Sequence, residues 1–270
     1  MEDLERFEAT VEEREGYEPL IRLDLAVFAG VDYLPILHRA EAEADIVIWD
    51  GGNNDLPFIQ SDLHIVLVDP HRPGHETSYH PGEANLRMAD LVIINKADSA
   101  TPEQMAQVQA SASLVIRENV PVLLADSIVT VGEPELIKGK RVLVVGDGPT
   151  LTHGGMAYGV GTIAARDLEA AAIVPGKQFA VGSIKSAYEQ YPHMETEVPA
   201  LGYNPEQLAD LEATLNAADA DLIIYATQVN LNQLITVNKP MIAAEYEMQE
   251  RGGELNDILA DFDYQRITGG

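Results

Sequence analysis

Cysteine is absent from this 270-residue sequence. Disulfides and thiolate metal sites are therefore excluded, which fits a reducing compartment. Also missing is any run near the ~18 to 20 apolar residues that span a bilayer. Basic residues are scarce, with 17 Lys+Arg against 44 Asp+Glu and a formal net charge of −27. A field of that sign repels nucleic-acid backbones and anionic lipid, so neither nucleic acid nor a membrane is an expected partner. The excess itself reads as solubility or as adaptation to a salty cytoplasm. The opening MEDLERFEATVEEREGYEP is acidic and polar, unlike a secretory signal or transit peptide. These features point to a cytoplasmic globular protein. A last absence is chemical. The phosphate loop G-x-x-x-x-G-K-[ST] occurs nowhere, and the two Gly-Lys pairs, Gly139-Lys140 and Gly176-Lys177, are followed by Arg141 and Gln178.

What is present is alternation. Apolar runs at 25–29, 45–49, 64–68, 91–95, 121–124, 141–145, 178–181, 221–225 and 241–244 read as strands. Helical patterns at 33–44, 83–88, 102–118, 163–171, 184–190, 205–217 and 254–262 lie between them. Thr101-Pro102 and Asn204-Pro205 each place a capping side chain before a proline at the first helical position. The fold class is α/β, with mainly parallel, doubly wound sheets. The polar stretch TVGEPELIKGK (130–140) reads as a joint. It divides a partial P-loop NTPase-like domain over 1–130 from a second, Rossmann-like α/β domain over 131–270. Trp49, inside a predicted strand, reads as core, and YEQYPHMETEVPALGY (188–203) as structural.

Three segments carry chemistry. ADIVIWDGGNND places Asp50 at the end of a predicted strand, where P-loop enzymes keep the acid that holds Mg²⁺, and Asn53, Asn54 and Asp55 follow. A plain Asp-Gly turn is the competing reading. ADLVIINKAD puts Asn95, Lys96 and Asp98 at a second strand end, the N-K-x-D pattern that recognises guanine in GTPase-like proteins: the carboxylate accepts from base N–H groups and the lysine stem covers the ring. Between them, VDPHRPGHETSYHPGEANLRMAD gathers His71, His75, His80, Arg72 and Arg87, a dense cationic stretch in an acidic chain. At a strand C-terminus it suits phosphate. A histidine metal site and a solvent-exposed loop are the alternatives. VLVVGDGPTLTHGGMAYGVGTIAAR then offers Asp147, Thr150, Thr152, His153, Gly154 and Gly155 between a strand and a helix. That turn is suited to an anion at the helix N-terminus, or to flexibility alone.

Taken together, EADIVIWDGGNNDLPF, the histidine-rich segment ending in NKAD, and GKRVLVVGDGPTLTHGGM resemble cyclic 2,3-diphosphoglycerate synthetase and its GTPase-like relatives. The resemblance implies ATP-dependent closure of an intramolecular phosphoanhydride in 2,3-diphosphoglycerate, with Mg²⁺ required. It makes Asp50 the Mg²⁺ ligand and Asn95, Lys96 and Asp98 the base pocket. His71, Arg72, His75 and His153 become catalytic, and Arg87, Asp147, Thr150, Thr152, Gly154 and Gly155 hold the substrate. GTP in place of ATP stays open, as do a GTPase-like regulatory or metal-delivery role and a truncated, non-catalytic binding module. Because the family's phosphate loop precedes the Asp50 segment, the chain is expected to be truncated or one half of a split enzyme. A second chain would then supply the loop, with self-association as a further expectation.

Overall fold

The computed structural model describes residues 2–7, 9, 11–52, 55–227 and 229–268, so Asn53 and Asn54 lie outside the described residues. Among the described residues eight strands are formed: β1 (Ile65–Val68), β2 (Leu91–Ile94), β3 (Val122–Val131), β4 (Arg141–Asp147), β5 (Ala172–Ile173), β6 (Val198–Ala200), β7 (Leu222–Ala226) and β8 (Met241–Glu250). The chain divides into two compact units. One, the NKxD unit, holds Phe28–Ile128 and Glu247–Gly270; the other, the glycine-loop unit, holds Met1–Val27 and Val129–Tyr246. The change-over between the units near 130 falls inside β3. The first residues go with the glycine-loop unit and the last with the NKxD unit.

In the NKxD unit, β1, β2 and β3 are parallel, with Ile65 opposite Leu91 and Val92 opposite Val122. All four residues of β2 are buried, and successive ones face opposite layers. Val92 and Ile94 pack with Leu86, Val108 and Ala112 from helices Gly82–Met88 and Pro102–Ser113. Leu91 and Ile93 pack with Leu123, Ala125 and, from helix Glu254–Thr268, Leu255 and Ile258. A parallel strand covered on both faces needs an unbroken apolar run, and LVII supplies one. The Pro102 helix opens with a full capping box: the Thr101 side chain accepts from the Gln104 amide while the Gln104 side chain accepts from the Thr101 amide.

In the glycine-loop unit, β4 is the hub. It pairs in parallel with β7 along its length on one side, and with β5 and then β6 on the other. β8 extends the sheet beyond β7. Leu143, Val145, Ile223 and Tyr225 face helices Gly182–Gln190 and Pro205–Ala217. Val142, Val144, Leu222 and Ile224 face helix Val160–Asp167. The doubly wound α/β class is therefore present. No helix among the described residues is long and apolar enough to cross a membrane.

Several expected elements differ. Residues 25–29 and 45–49 are unpaired and form no strand, with a bend at 45–46 and Ile46, Val47 and Ile48 exposed at 53, 43 and 81%. An apolar run supplies the inclination to form a strand; the ladder must come from a neighbour, and none pairs with these segments among the described residues. Trp49 is not in the core. It sits half-buried in a three-ring cluster with Tyr33 and Phe58, at centroid distances of 5.3 and 5.7 Å. Residues 178–181 form no strand, because a 3₁₀ turn over Gly176–Gln178 leads into the next helix. The short β5 and β6 take the places beside β4.

Ile223 is fully buried in the larger core of the glycine-loop unit. Ile223→Ala is expected to cost about 2–5 kcal/mol in chemical denaturation.

Candidate functional site

In the NKxD unit the site is built from the loops after β1 and β2, at the strand C-termini where open α/β sheets bind ligands, and from Ala125 and Ser127 within β3. The Asn95 amide donates to the Val68 carbonyl (3.0 Å), and the Ala97 amide to the Ala125 carbonyl (2.9 Å). Between them Lys96 takes the left-handed φ of +57°. Its ammonium points back across the sheet to Asp69 Oδ2 at 2.7 Å, while Asp69 Oδ1 accepts from the His71 amide at 2.9 Å. Burial pushes the Asp69 carboxyl up, but the Lys96 hydrogen bond and charge, with the His71 amide, outweigh it and hold the pKa below the usual value. His71 Nε2 lies 2.9 Å from Ser99 Oγ. Asp98 Oδ1 accepts from the Ser127 amide at 2.9 Å, so one carboxylate oxygen anchors the base loop to the residues after Ala125. Asn95 Oδ1 lies 3.5 Å from Ser127 Oγ.

The cations of this unit separate sharply. Of the five lysines and arginines between 28 and 128, four are ion-paired: Arg39 with Glu43, Arg87 with Glu83, Lys96 with Asp69 and Arg117 with Asp90. Arg72, half-buried on the loop after β1, has no carboxylate partner among the described residues. Within 28–128 it is the cation left available to an incoming anion. Arg87 lies along the exposed face of its own helix, gripped by Glu83 at 2.6 Å. His75 opens a short helical turn and stacks on Tyr79 at 4.7 Å. Asp50 is exposed in the unpaired segment. No group of three histidine or acidic side chains among the described residues is placed to hold a metal ion. Mg²⁺ is commonly held by one or two carboxylates plus phosphate oxygens, and a lone Asp50 fits that mode but not a protein-only cage.

The glycine-loop unit places its turn at the C-terminal end of β4. Asp147 Oδ2 accepts from the Thr150 amide (3.0 Å) and the Thr150 hydroxyl (2.7 Å), and the buried Thr152 hydroxyl donates to the Gly148 carbonyl (2.8 Å). Gly148 has no room for a side chain: a Cβ there would lie 1.9 Å from the Ala200 carbonyl oxygen. Behind the turn is Glu197, 1% exposed, immediately before β6. Its Oε1 accepts from the Gly159 amide (2.8 Å) and the Thr162 amide (3.2 Å) at the start of helix Val160–Asp167. Burial raises the Glu197 pKa, opposed by the Thr162 side chain, the two amides and the more distant Arg166. Gly146 makes room for this carboxylate, since a Cβ there would come within 2.3 Å of Oε2. Three of the amides in this stretch, those of Thr150, Gly159 and Thr162, are thus already met by Asp147 and Glu197. The helix N-terminus holds the chain's own carboxylate, and residues 146–161 contain neither lysine nor arginine. His153 is exposed at the tip, with Nδ1 3.3 Å from the Tyr191 hydroxyl. Gly154 and Gly155 complete the turn, Gly155 at φ +66°.

Asp69, Ser127, Glu197 and Tyr191 are contributors that the sequence reading does not pick out. Asp69 carried the same signal as Asp50, an acid at the end of an apolar run; Glu197 carried none.

No family model matches the chain. Arginine synthetase ArcE of Thermococcus kodakarensis is 52% identical to it over 262 residues. The match covers 97% of the present chain but 58% of the relative, so the chain spans little more than half of that protein's length.

Two pH-linked outcomes follow from the buried carboxyls. Asp69 is depressed, so its stabilising contribution is full above the unfolded carboxyl value and fades as pH falls through the lower, folded one. Lys96→Met should destabilise at neutral pH, with the deficit against wild type closing in strongly acidic solution. Glu197 is raised, so its ionisation costs stability as pH rises from the unfolded value through the folded one. Glu197→Gln should therefore match or exceed wild-type stability at neutral pH and lose that advantage below the ordinary carboxyl range. Glu197→Ala should cost about 1–3 kcal/mol for each amide left unpaired. Urea melts across pH read out all three variants.

Proposed function

We propose that the chain works in a nucleotide-driven synthetase of the ligase type that builds a guanidino group. The observation that carries this reading is the 52% identity, across 97% of the chain, to a protein named arginine synthetase. The chemistry such a name requires is defined. A ureido oxygen is a poor leaving group, so it first takes the γ-phosphoryl group of ATP, with ADP released. Ammonia then attacks the activated carbon, phosphate departs with the C–O electron pair, and proton loss from nitrogen leaves the guanidinium product. Most of the catalysis is positioning and charge neutralisation.

The chain's residues take roles accordingly. Arg72, the unpaired cation, grips a phosphoryl or carboxylate oxygen, with His71 and His75 on the same loop. Asn95, Lys96 and Asp98 form the base loop, the free carboxylate oxygen of Asp98 accepting from the base. Asp50 supplies a carboxylate to Mg²⁺, which would neutralise phosphate charge. On the glycine-loop unit, a turn without lysine or arginine and capped by Asp147 suits an amino acid or ureido group better than a doubly phosphorylated substrate. A second reading, ring closure of 2,3-diphosphoglycerate, draws its support from the Arg72 loop alone.

Thermal shifts with citrulline, arginine, inorganic phosphate and 2,3-diphosphoglycerate separate the readings. Ligand at a hundred times its Kd adds about 2.7 kcal/mol of stability. Citrulline or arginine is expected to raise Tm, and Arg72→Ala to abolish the response to phosphate. A rise with 2,3-diphosphoglycerate alone would favour the second reading, and no response to any of the four would sink both. With no phosphate-loop lysine in these 270 residues, the isolated chain is expected to show no Mg²⁺-ATPase or GTPase activity.

A further inference from the structure

The segment 190–193 grips the tip of the glycine loop at two points. His193 Nε2 donates to the carbonyl of the fully buried Leu151 at 2.6 Å. Two residues further along, His153 Nδ1 meets the Tyr191 hydroxyl at 3.3 Å, with the rings edge-on at 5.6 Å. Tyr191 is itself fixed. Its ring packs against the large core, its amide donates to the Ala187 carbonyl (2.8 Å), and its carbonyl accepts from the amide of buried Met194 (3.1 Å). The direction of the hydroxyl proton follows from a third group. Gln190 Nε2, which can only donate, lies 3.2 Å from the Tyr191 oxygen. The tyrosine oxygen accepts there, and its own proton goes to the acceptor on its other side, His153 Nδ1.

We propose that Tyr191 is a positioning residue for His153. Through the Gln190–Tyr191–His153 relay it holds the neutral imidazole with Nδ1 as acceptor, so that Nε2–H is presented at the exposed loop tip as a donor to an anionic ligand oxygen, phosphoryl or carboxylate. The division of labour follows from the carboxylates beneath. Asp147 takes the Thr150 amide and Glu197 those of Gly159 and Thr162, and an imidazole N–H adds a donor facing a ligand. His193 is the second clamp. The hydrogen-bond relay stands on this geometry, and only its place in catalysis rests on the synthetase reading.

Long-range ¹H–¹⁵N spectra of the labelled full chain, taken where imidazole is neutral, report which nitrogen of His153 bears the proton. The expected result is Nε2–H alone in wild type and a mixture including Nδ1–H in Tyr191→Phe, which keeps the packed ring and hence the fold. If that variant loses its fold, Gln190→Ala gives the same readout by freeing the hydroxyl to turn. Titration with inorganic phosphate, followed at His153 Nε2, should weaken about 2- to 10-fold in Tyr191→Phe, the range set by one hydrogen bond. A populated Nδ1–H in wild type, or identical spectra and phosphate affinity in the variant, overturns the proposal. A chain that shows the tautomer and its loss but does not respond to citrulline or arginine would overturn the synthetase reading and leave the relay standing.

Discussion

Parallel pairing on both sides of β4 is the constraint from which the glycine-loop unit follows. β7 aligns with five of its residues, while β5 and β6 share the opposite edge. Its interior residues are fully buried, so they must be apolar on both faces. Where β6 closes against the end of β4, the backbones come so near that residue 148 can only be glycine. The same closure brings in Glu197 beside Gly146. A glycine-rich loop after a strand is easily read as a place for phosphate. In this unit the glycines make room for the chain's own backbone and carboxylate.

Charge is the second organising force. At a net charge of −27, any cation has carboxylates near it, and pairing is the default. Exposed ion pairs such as Arg87–Glu83 contribute little to stability, but they do remove a cation from the pool available to a ligand. Over 28–128, where four of the five lysines and arginines are ion-paired, the informative cation is the one left over. Arg72 follows β1 by a few residues, on the loop that also carries Asp69 and His71. The Lys96–Asp69 pair beside it joins the loops after β1 and β2 into one rigid rim. Lys96, which the N-K-x-D pattern would lay over a base, has its ammonium committed to that brace, leaving its stem to make any ring contact.

Legibility in the sequence tracked how local the cause was. The capped helix starts at Thr101 and Asn204, the buried runs of β2, β4 and β7, and the N-K-x-D strand end all show in short stretches, because their determinants are neighbours in sequence. β5 and β6 were invisible: strands of two and three residues carry no period, and their existence is decided by β4. The same reason undid residues 25–29 and 45–49, where the pattern is strand-like but no ladder forms, and it leaves Asp50 in an exposed, unpaired segment and not at a strand end. Glu197 and Tyr191 sit in a stretch whose prolines and tyrosines look like filler. Their importance comes from contacts 35 and 38 positions away.

The chemistry now divides between two kinds of surface, each described within its own unit. After β1, a spare guanidinium and two histidines offer charge to an anion. After β4, carboxylates satisfy the turn from within and a tyrosine-held imidazole offers a single directed proton. An anionic group would find charge on the first surface, whereas the turn on the second, with neither lysine nor arginine over 146–161, suits a group that accepts a single hydrogen bond.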